Sequence, residues 1–146
     1  MASIQTSSES ETAAVGRELA ATLAAGDVVL LYGDLGAGKT AFVRGLAEGL
    51  GIDAGDVSSP TFTLMQEYRG GRLLLQHVDL YRLNDPREID DLGLEELEDA
   101  VVAIEWADRL SRPIAGATTV RIRAGQGDVR SIDITPSSSR NSRGRA

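Results

Sequence analysis

Two stretches of the chain are apolar with little interruption: Asp27 to Tyr32 (DVVLLY) and Ala100 to Ile104 (AVVAI). Short continuous runs of this kind suit strands covered on both faces in a parallel sheet. Elsewhere the apolar positions recur at helical spacing. Ser8 and Glu11 form the S-x-x-E start of a helix, Val15, Leu19 and Leu23 supply its buried stripe, and Gly26 is its expected terminator. Phe42, Leu46 and Leu50 mark a second helix ending near Gly49 or Gly51. Two β-rich runs, Thr61 to Arg69 and Arg72 to Leu83, flank Gly70-Gly71 and predict a hairpin. Asn84-Asp85-Pro86 with Glu88 has the form of a helix start, running to about Asp91, and Glu95 to Asp99 reads as another short acidic helix. Period-two alternation in Thr118 to Arg123 and Val129 to Thr135 predicts a closing antiparallel hairpin. The ends are polar: residues 1–8 read as a flexible lead-in and 137–146, rich in serine and arginine, as a disordered tail, leaving 9–136 as one domain.

Between the first apolar run and the second helix stands Gly33-Asp34-Leu35-Gly36-Ala37-Gly38-Lys39-Thr40, a G-x-x-x-x-G-K-T stretch. This is the pattern of a Walker A phosphate loop. Consecutive backbone N–H groups must turn inward onto phosphate oxygens, and side chains at Gly33, Gly36 and Gly38 would obstruct the turn or the approach. Lys39 then reaches the β- and γ-phosphates, Thr40 offers its hydroxyl to Mg²⁺, and the following helix directs its positive end at the anion. Lys39 is the only lysine of the chain, every other basic residue being arginine. A compact ammonium on a slender stem fits between phosphates where a guanidinium fork does not. The expected ligand is a nucleoside triphosphate with Mg²⁺.

Composition narrows the reading further. A chain of 146 residues suffices for one core and leaves no room for a second substrate domain. With 22 acidic against 15 basic residues, a net charge of −7 argues against a broad nucleic-acid-binding face. Absence of cysteine excludes disulfides and thiol catalysis, and a single histidine argues against a conventional zinc site. No apolar run approaches membrane-spanning length and no signal peptide is indicated, so a cytoplasmic protein is expected.

Nucleotide hydrolysis needs Mg²⁺ held opposite the loop threonine and a group that orients or deprotonates water. Glu105, at the end of the second apolar run, would lie beside the phosphates if that run neighbours the strand before the loop. Its alternative is a solvated strand-end acid. Asp79 shares a strand face with His77, two residues away, and is otherwise a solvated hairpin acid. Asp108 falls in an expected surface turn. His77 is read as a structural partner of a neighbouring strand before a catalytic base, and Trp106, the sole tryptophan, as either core packing or a partner-binding anchor.

Assembled in order, GDLGAGKT (33–40), VSSPTFTL (57–64), HVDLYRL (77–83), DLGLEE (91–96) and IEW (104–106) resemble the TsaE (YjeE) family of small bacterial P-loop ATPases. The resemblance covers most of residues 10–112. It implies a three-layer P-loop NTPase fold with a mixed, mainly parallel central sheet and added antiparallel hairpins. It also implies ATP hydrolysis supporting a TsaD-TsaB complex that transfers a threonylcarbamoyl group to adenosine 37 of tRNA. On that reading the chain is monomeric alone, has no membrane role and meets tRNA only through the complex. Carried over by position, Lys39 and Thr40 bind phosphate and Mg²⁺, Asp79 is a Mg²⁺-side carboxylate, Glu105 is the water-activating acid and a further candidate Mg²⁺ ligand, and Thr61 belongs to a switch-like loop near the γ-phosphate. Ala41 departs from the pattern, since many members have a second threonine there, near the α-phosphate. Two other readings compete: a small kinase on the same fold, with Arg109 and Arg112 over an acceptor, and a nucleotide-gated binding module with incidental hydrolysis. GTP specificity is disfavoured because the chain lacks an N-K-x-D element.

Overall fold

The computed structural model describes residues 2–33, 38–53, 65–81, 87–88, 99–110 and 114–136. The two apolar runs form β2 (Val28–Tyr32) and β5 (Ala100–Glu105), paired in parallel from Val28↔Val102 to Leu31↔Glu105. On the far side of β5 lies β4 (Leu74–Asp79), also parallel, with Asp79 opposite Glu105. β6 (Thr118–Ala124) flanks β2 on its other side, again in parallel. Antiparallel strands border this centre: β3 (Met65–Tyr68) on β4, β7 (Arg130–Thr135) on β6, and β1 (Ala2–Thr6) on β7. The resulting order is β1-β7-β6-β2-β5-β4-β3. A mixed, mainly parallel sheet with antiparallel additions is the fold class expected above, except that β6 belongs to the centre as well as to its hairpin.

Alternation along the strands divides the apolar side chains between two faces. Val29, Leu31, Val101 and Ala103 pack beneath α1 (Glu9–Ala20) and α2 (Lys39–Gly49), with Phe42 and Leu46 from α2. Val28, Leu30, Val102 and Ile104 occupy the opposite face, against Ala107 and Ile114. The helices therefore lie on the face that also bears His77, Asp79 and Glu105, because these share the strand parity of Leu75, Val101 and Ala103.

Three local expectations are corrected. Residues 2–6 are β1 rather than a loose lead-in: Ile4 packs on the core opposite Ile132, Ser3 donates to Asp133 at 2.6 Å, and the Thr6 and Thr12 hydroxyls meet at 2.8 Å. One large apolar residue cannot announce a strand whose partner lies at the other end of the chain. Helix α1 starts as predicted, with Ser8 accepting from the Glu11 N–H, but it stops at Ala20 instead of Gly26. Arg72 reaches across to donate to the carbonyls of Ala20 and Leu23, and Gly26, at φ 91°, serves the turn into β2. Finally, the hairpin expected around Gly70-Gly71 forms, β3 against β4, but Tyr68 pairs with Leu75 and its connection is longer than those two glycines. Its loop docks on the end of α2, where the Arg72 N–H donates to the Leu50 carbonyl at 2.7 Å. A Cβ on Gly71 would stand 2.1 Å from that carbonyl oxygen.

Helix α2 closes in a Schellman arrangement: Gly51 has φ 85°, its N–H donates to Glu48 and the Ile52 N–H donates to Ala47. Of the helix expected from Asn84, Arg87 and Glu88 are helical; its remainder, the acidic segment 95–98 and the tail 137–146 lie outside the described residues.

Candidate active site

The strand β2 delivers the chain to Gly33, and α2 begins at Lys39 behind Gly38, whose φ of 106° a side-chain-bearing residue rarely adopts. In the first turn of a helix the N–H groups have no carbonyl of the same helix to pair with, and they carry the positive end of its dipole. The Phe42 N–H is the first to bond back, to the Gly38 carbonyl at 3.0 Å. Asp34, Leu35, Gly36 and Ala37 lie outside the described residues, as does Thr61.

Lys39 is only 4% exposed. Its ammonium donates to the Gly33 carbonyl and stands 3.9 Å from the centroid of the Trp106 ring. Thr40 donates to Glu105 Oε2 across 3.5 Å. Asp79, directly opposite Glu105 in the β4–β5 register, accepts from the Tyr81 N–H at 2.8 Å. Of the predicted site residues, Lys39, Thr40, Asp79 and Glu105 thus converge at the carboxyl ends of three neighbouring parallel strands and the start of α2. Ala41 follows in the same helical turn, buried. Asp108 is exposed in a short 3₁₀ segment, Ala107–Arg109, and Arg109 stacks 5.9 Å from the Tyr81 ring. Arg112 lies outside the described residues.

Glu105 is held from behind by a chain of polar groups that the sequence pattern showed only in part. His77, fully buried, meets Glu105 Oε2 through Nε2 at 2.5 Å, and its Nδ1 lies 3.4 Å from the Tyr68 hydroxyl. That hydroxyl donates to Gln66 Oε1, so it presents oxygen to Nδ1. The Asp79 carboxyl has its pKa raised by burial first; the nearby Glu105 adds to this, while the Tyr81 N–H, His77 and Lys39 oppose it.

Trp106 is neither simple core nor free surface. It is the only non-glycine residue with positive φ among those described, at 59°, and that turn lays its ring between Lys39 and Tyr81, whose centroid is 4.8 Å away. Tyr81 is the partly exposed end of this stack. It belongs to the HVDLYRL stretch, but only the fold brings it beside Trp106.

Oxygen donors of this kind suit a hard cation that keeps waters and shares its shell with phosphates. Among the described residues no group of three or more histidines and carboxylates is arranged to hold a metal by itself. Thr40, Asp79 and Glu105 together present only oxygen donors, the ligand chemistry that Mg²⁺ takes.

A parallel sheet whose central strand runs through a Gly-x-x-x-x-Gly-Lys-Thr stretch into a helix, with acids at the ends of adjacent strands, defines a P-loop α/β protein. The crystal structure of Bacillus subtilis YdiB is similar, with a TM-score of 0.75 and 33% identity over 97% of this chain and 89% of that one. The sequence model of the family described as threonylcarbamoyl adenosine biosynthesis protein TsaE matches residues 6–132. A Nostoc protein named tRNA threonylcarbamoyladenosine biosynthesis protein TsaE is 44% identical, with 93% of this chain and 86% of the relative covered. A protein of the same name from Bacillus subtilis is 46% identical over 86% of this chain and 79% of its own. The chain belongs to the TsaE family.

Proposed function

We propose that this chain is a Mg²⁺-dependent ATPase of tRNA threonylcarbamoyladenosine biosynthesis, supporting the TsaD-TsaB complex that modifies adenosine 37. The observation that carries this reading is the convergence of Lys39, Thr40, Asp79 and Glu105 at the start of α2. Lys39 neutralises the β- and γ-phosphates, and Thr40 with Asp79 and Glu105 forms the cation side of the site. Mg²⁺ there would offset charge on the phosphates during transfer to water. Glu105, its carboxylate fixed by His77, orients and deprotonates the attacking water. The chain works in the cytoplasm, as a monomer when alone, and meets tRNA through its partners. Thr61 belongs to the loop that senses the γ-phosphate.

Family membership favours a component that acts on partners over a free-standing kinase. The test combines purified TsaD and TsaB homologues with this chain and MgATP. Association that depends on nucleotide, together with hydrolysis that falls about 100-fold or more in Glu105→Ala, is the expected result, since loss of a general base removes about 10²–10⁴ in rate. Normal hydrolysis by Glu105→Ala would remove the general-base assignment. No association with or without ATP would leave the kinase reading ahead.

A further inference from the structure

The two faces of the sheet are not covered alike. On the side of α1 and α2, one apolar cluster runs from Ile132 of β7 through Val120, Leu31 and Val101 to Leu75 of β4. On the other side the buried strand residues come from β2, β4 and β5, and Tyr32 stands at the edge of their cluster. Strand parity turns Thr119, Arg121 and Arg123 of β6, Ser131 and Asp133 of β7 and Ser3 of β1 to that second side, and none of them is buried. Half of this face is therefore an open polar surface.

Where the open surface meets the phosphate loop, a cavity of about 430 Å³ lies between Tyr32, Gly33 and the end of β6. Gly33 is the residue whose carbonyl Lys39 holds, so the cavity abuts the back of the nucleotide site. Register sets Arg121 beside Tyr32, and its guanidinium lies 4.4 Å from the ring centroid. Across β7, Arg121 faces Asp133, whose carboxylate accepts from the Ser3 hydroxyl at 2.6 Å, and Arg123 faces Ser131. Neither arginine has an ion pair among the described residues. The chain has carboxylates to spare, 22 acidic against 15 basic residues, and no described one closes on this pair. A guanidinium fork matches the two oxygens of a carboxylate or those of a phosphate. Two cations supply few of the phosphate contacts on which nucleic-acid affinity rests, and Asp133 on the same face repels such a backbone. Arginine anchors in a concavity, with hydroxyl-bearing residues around them, instead have the character of a protein interface.

Building on the proposal that the chain acts on partners, we infer that the open β6–β7–β1 face is a docking surface for an acidic segment of a protein partner, whose carboxylates enter the Tyr32 cavity and pair with Arg121 and Arg123. The test measures association of the full chain with the TsaD and TsaB homologues in MgATP, at low and moderate salt. It compares the parent with Arg121→Glu/Arg123→Glu and with Arg123→Glu alone, which leaves the Tyr32 stack in place. Association is expected to weaken about tenfold or more in the double variant and by a smaller factor in Arg123→Glu, and to fall with salt more steeply in the parent than in either. MgATP affinity of the isolated variants is expected to stay within about twofold of the parent. Parent-level association in both variants would overturn the docking surface and leave the proposed function standing. Equal weakening of MgATP binding would overturn it too, since the substitutions would then act through the loop. So would association that persists while the assembled complex loses tRNA, which would make this a nucleic-acid surface. A parent that associates at neither salt would overturn the partner reading and this inference with it.

Discussion

At the scale of single residues, the site is a set of charges held close together by burial. Lys39, His77, Asp79 and Glu105 are all at most 9% exposed, and each is anchored by a named partner. Asp79 has a consequence for stability. Its pKa is raised above the ordinary 3.8, chiefly by burial, so the folded chain keeps this proton to higher pH than the unfolded chain does. Stability therefore falls as pH rises from the ordinary value through the folded one, because within that window the native state binds more protons. Asp79→Asn keeps the acceptor for the Tyr81 N–H and removes the ionisation. In EDTA it is expected to melt at a higher temperature than the parent near neutral pH, the gap closing towards about pH 4. Thermal unfolding across that range checks it, and a variant less stable than the parent at neutral pH would contradict the burial argument. In MgATP the same substitution is expected to weaken binding, since the carboxylate then has a cation to hold.

Among elements, the contact of α1 with α2 decides how firmly the start of α2 is placed. Gly45 sits inside a helix, where replacing glycine by alanine ordinarily stabilises by about 1 kcal/mol through backbone entropy. Here the added Cβ would come within 1.8 Å of the Ala13 carbonyl oxygen and 2.6 Å of its carbon. Backbone cannot swing aside as a side chain does, so sterics outweigh propensity. Gly45→Ala is expected to destabilise by about 1–3 kcal/mol, the usual cost of overpacking. Urea denaturation measures it; an unchanged or increased midpoint would mean that the helices separate easily. The loop 69–73 illustrates the same point, because Arg72 and Gly71 tie the β3–β4 connection to the ends of both helices.

For the whole molecule, binding at the loop should be felt everywhere, because β2, β4 and β5 all end there. A ligand that binds the native state alone stabilises it by about 2.7 kcal/mol when present at 100 times its dissociation constant. MgATP is accordingly expected to raise the melting temperature of the parent, and Lys39→Ala to lose most of that rise while keeping its own fold. Differential scanning calorimetry with and without MgATP reads both. An equal rise in Lys39→Ala would place the nucleotide somewhere other than the phosphate loop.

The sequence by itself determined the elements whose signal is local. The apolar runs that became β2 and β5, the Ser8 cap, the stripe of Phe42 and Leu46, and the phosphate-loop glycines are each written within a few residues. Five ordered motifs carried the family. What tertiary structure alone decided is non-local: that residues 2–6 pair with β7, that β6 lies parallel to β2, and that the Gly70-Gly71 segment docks on α2. Register then set Asp79 opposite Glu105 and brought His77 from β4 onto the Glu105 carboxylate. A polar residue within a strand gives no sign of which neighbour it will face, because that depends on which strand lies beside it and in which direction. The candidate acids were therefore legible one by one, while their convergence on Lys39 and Thr40 belongs to the sheet.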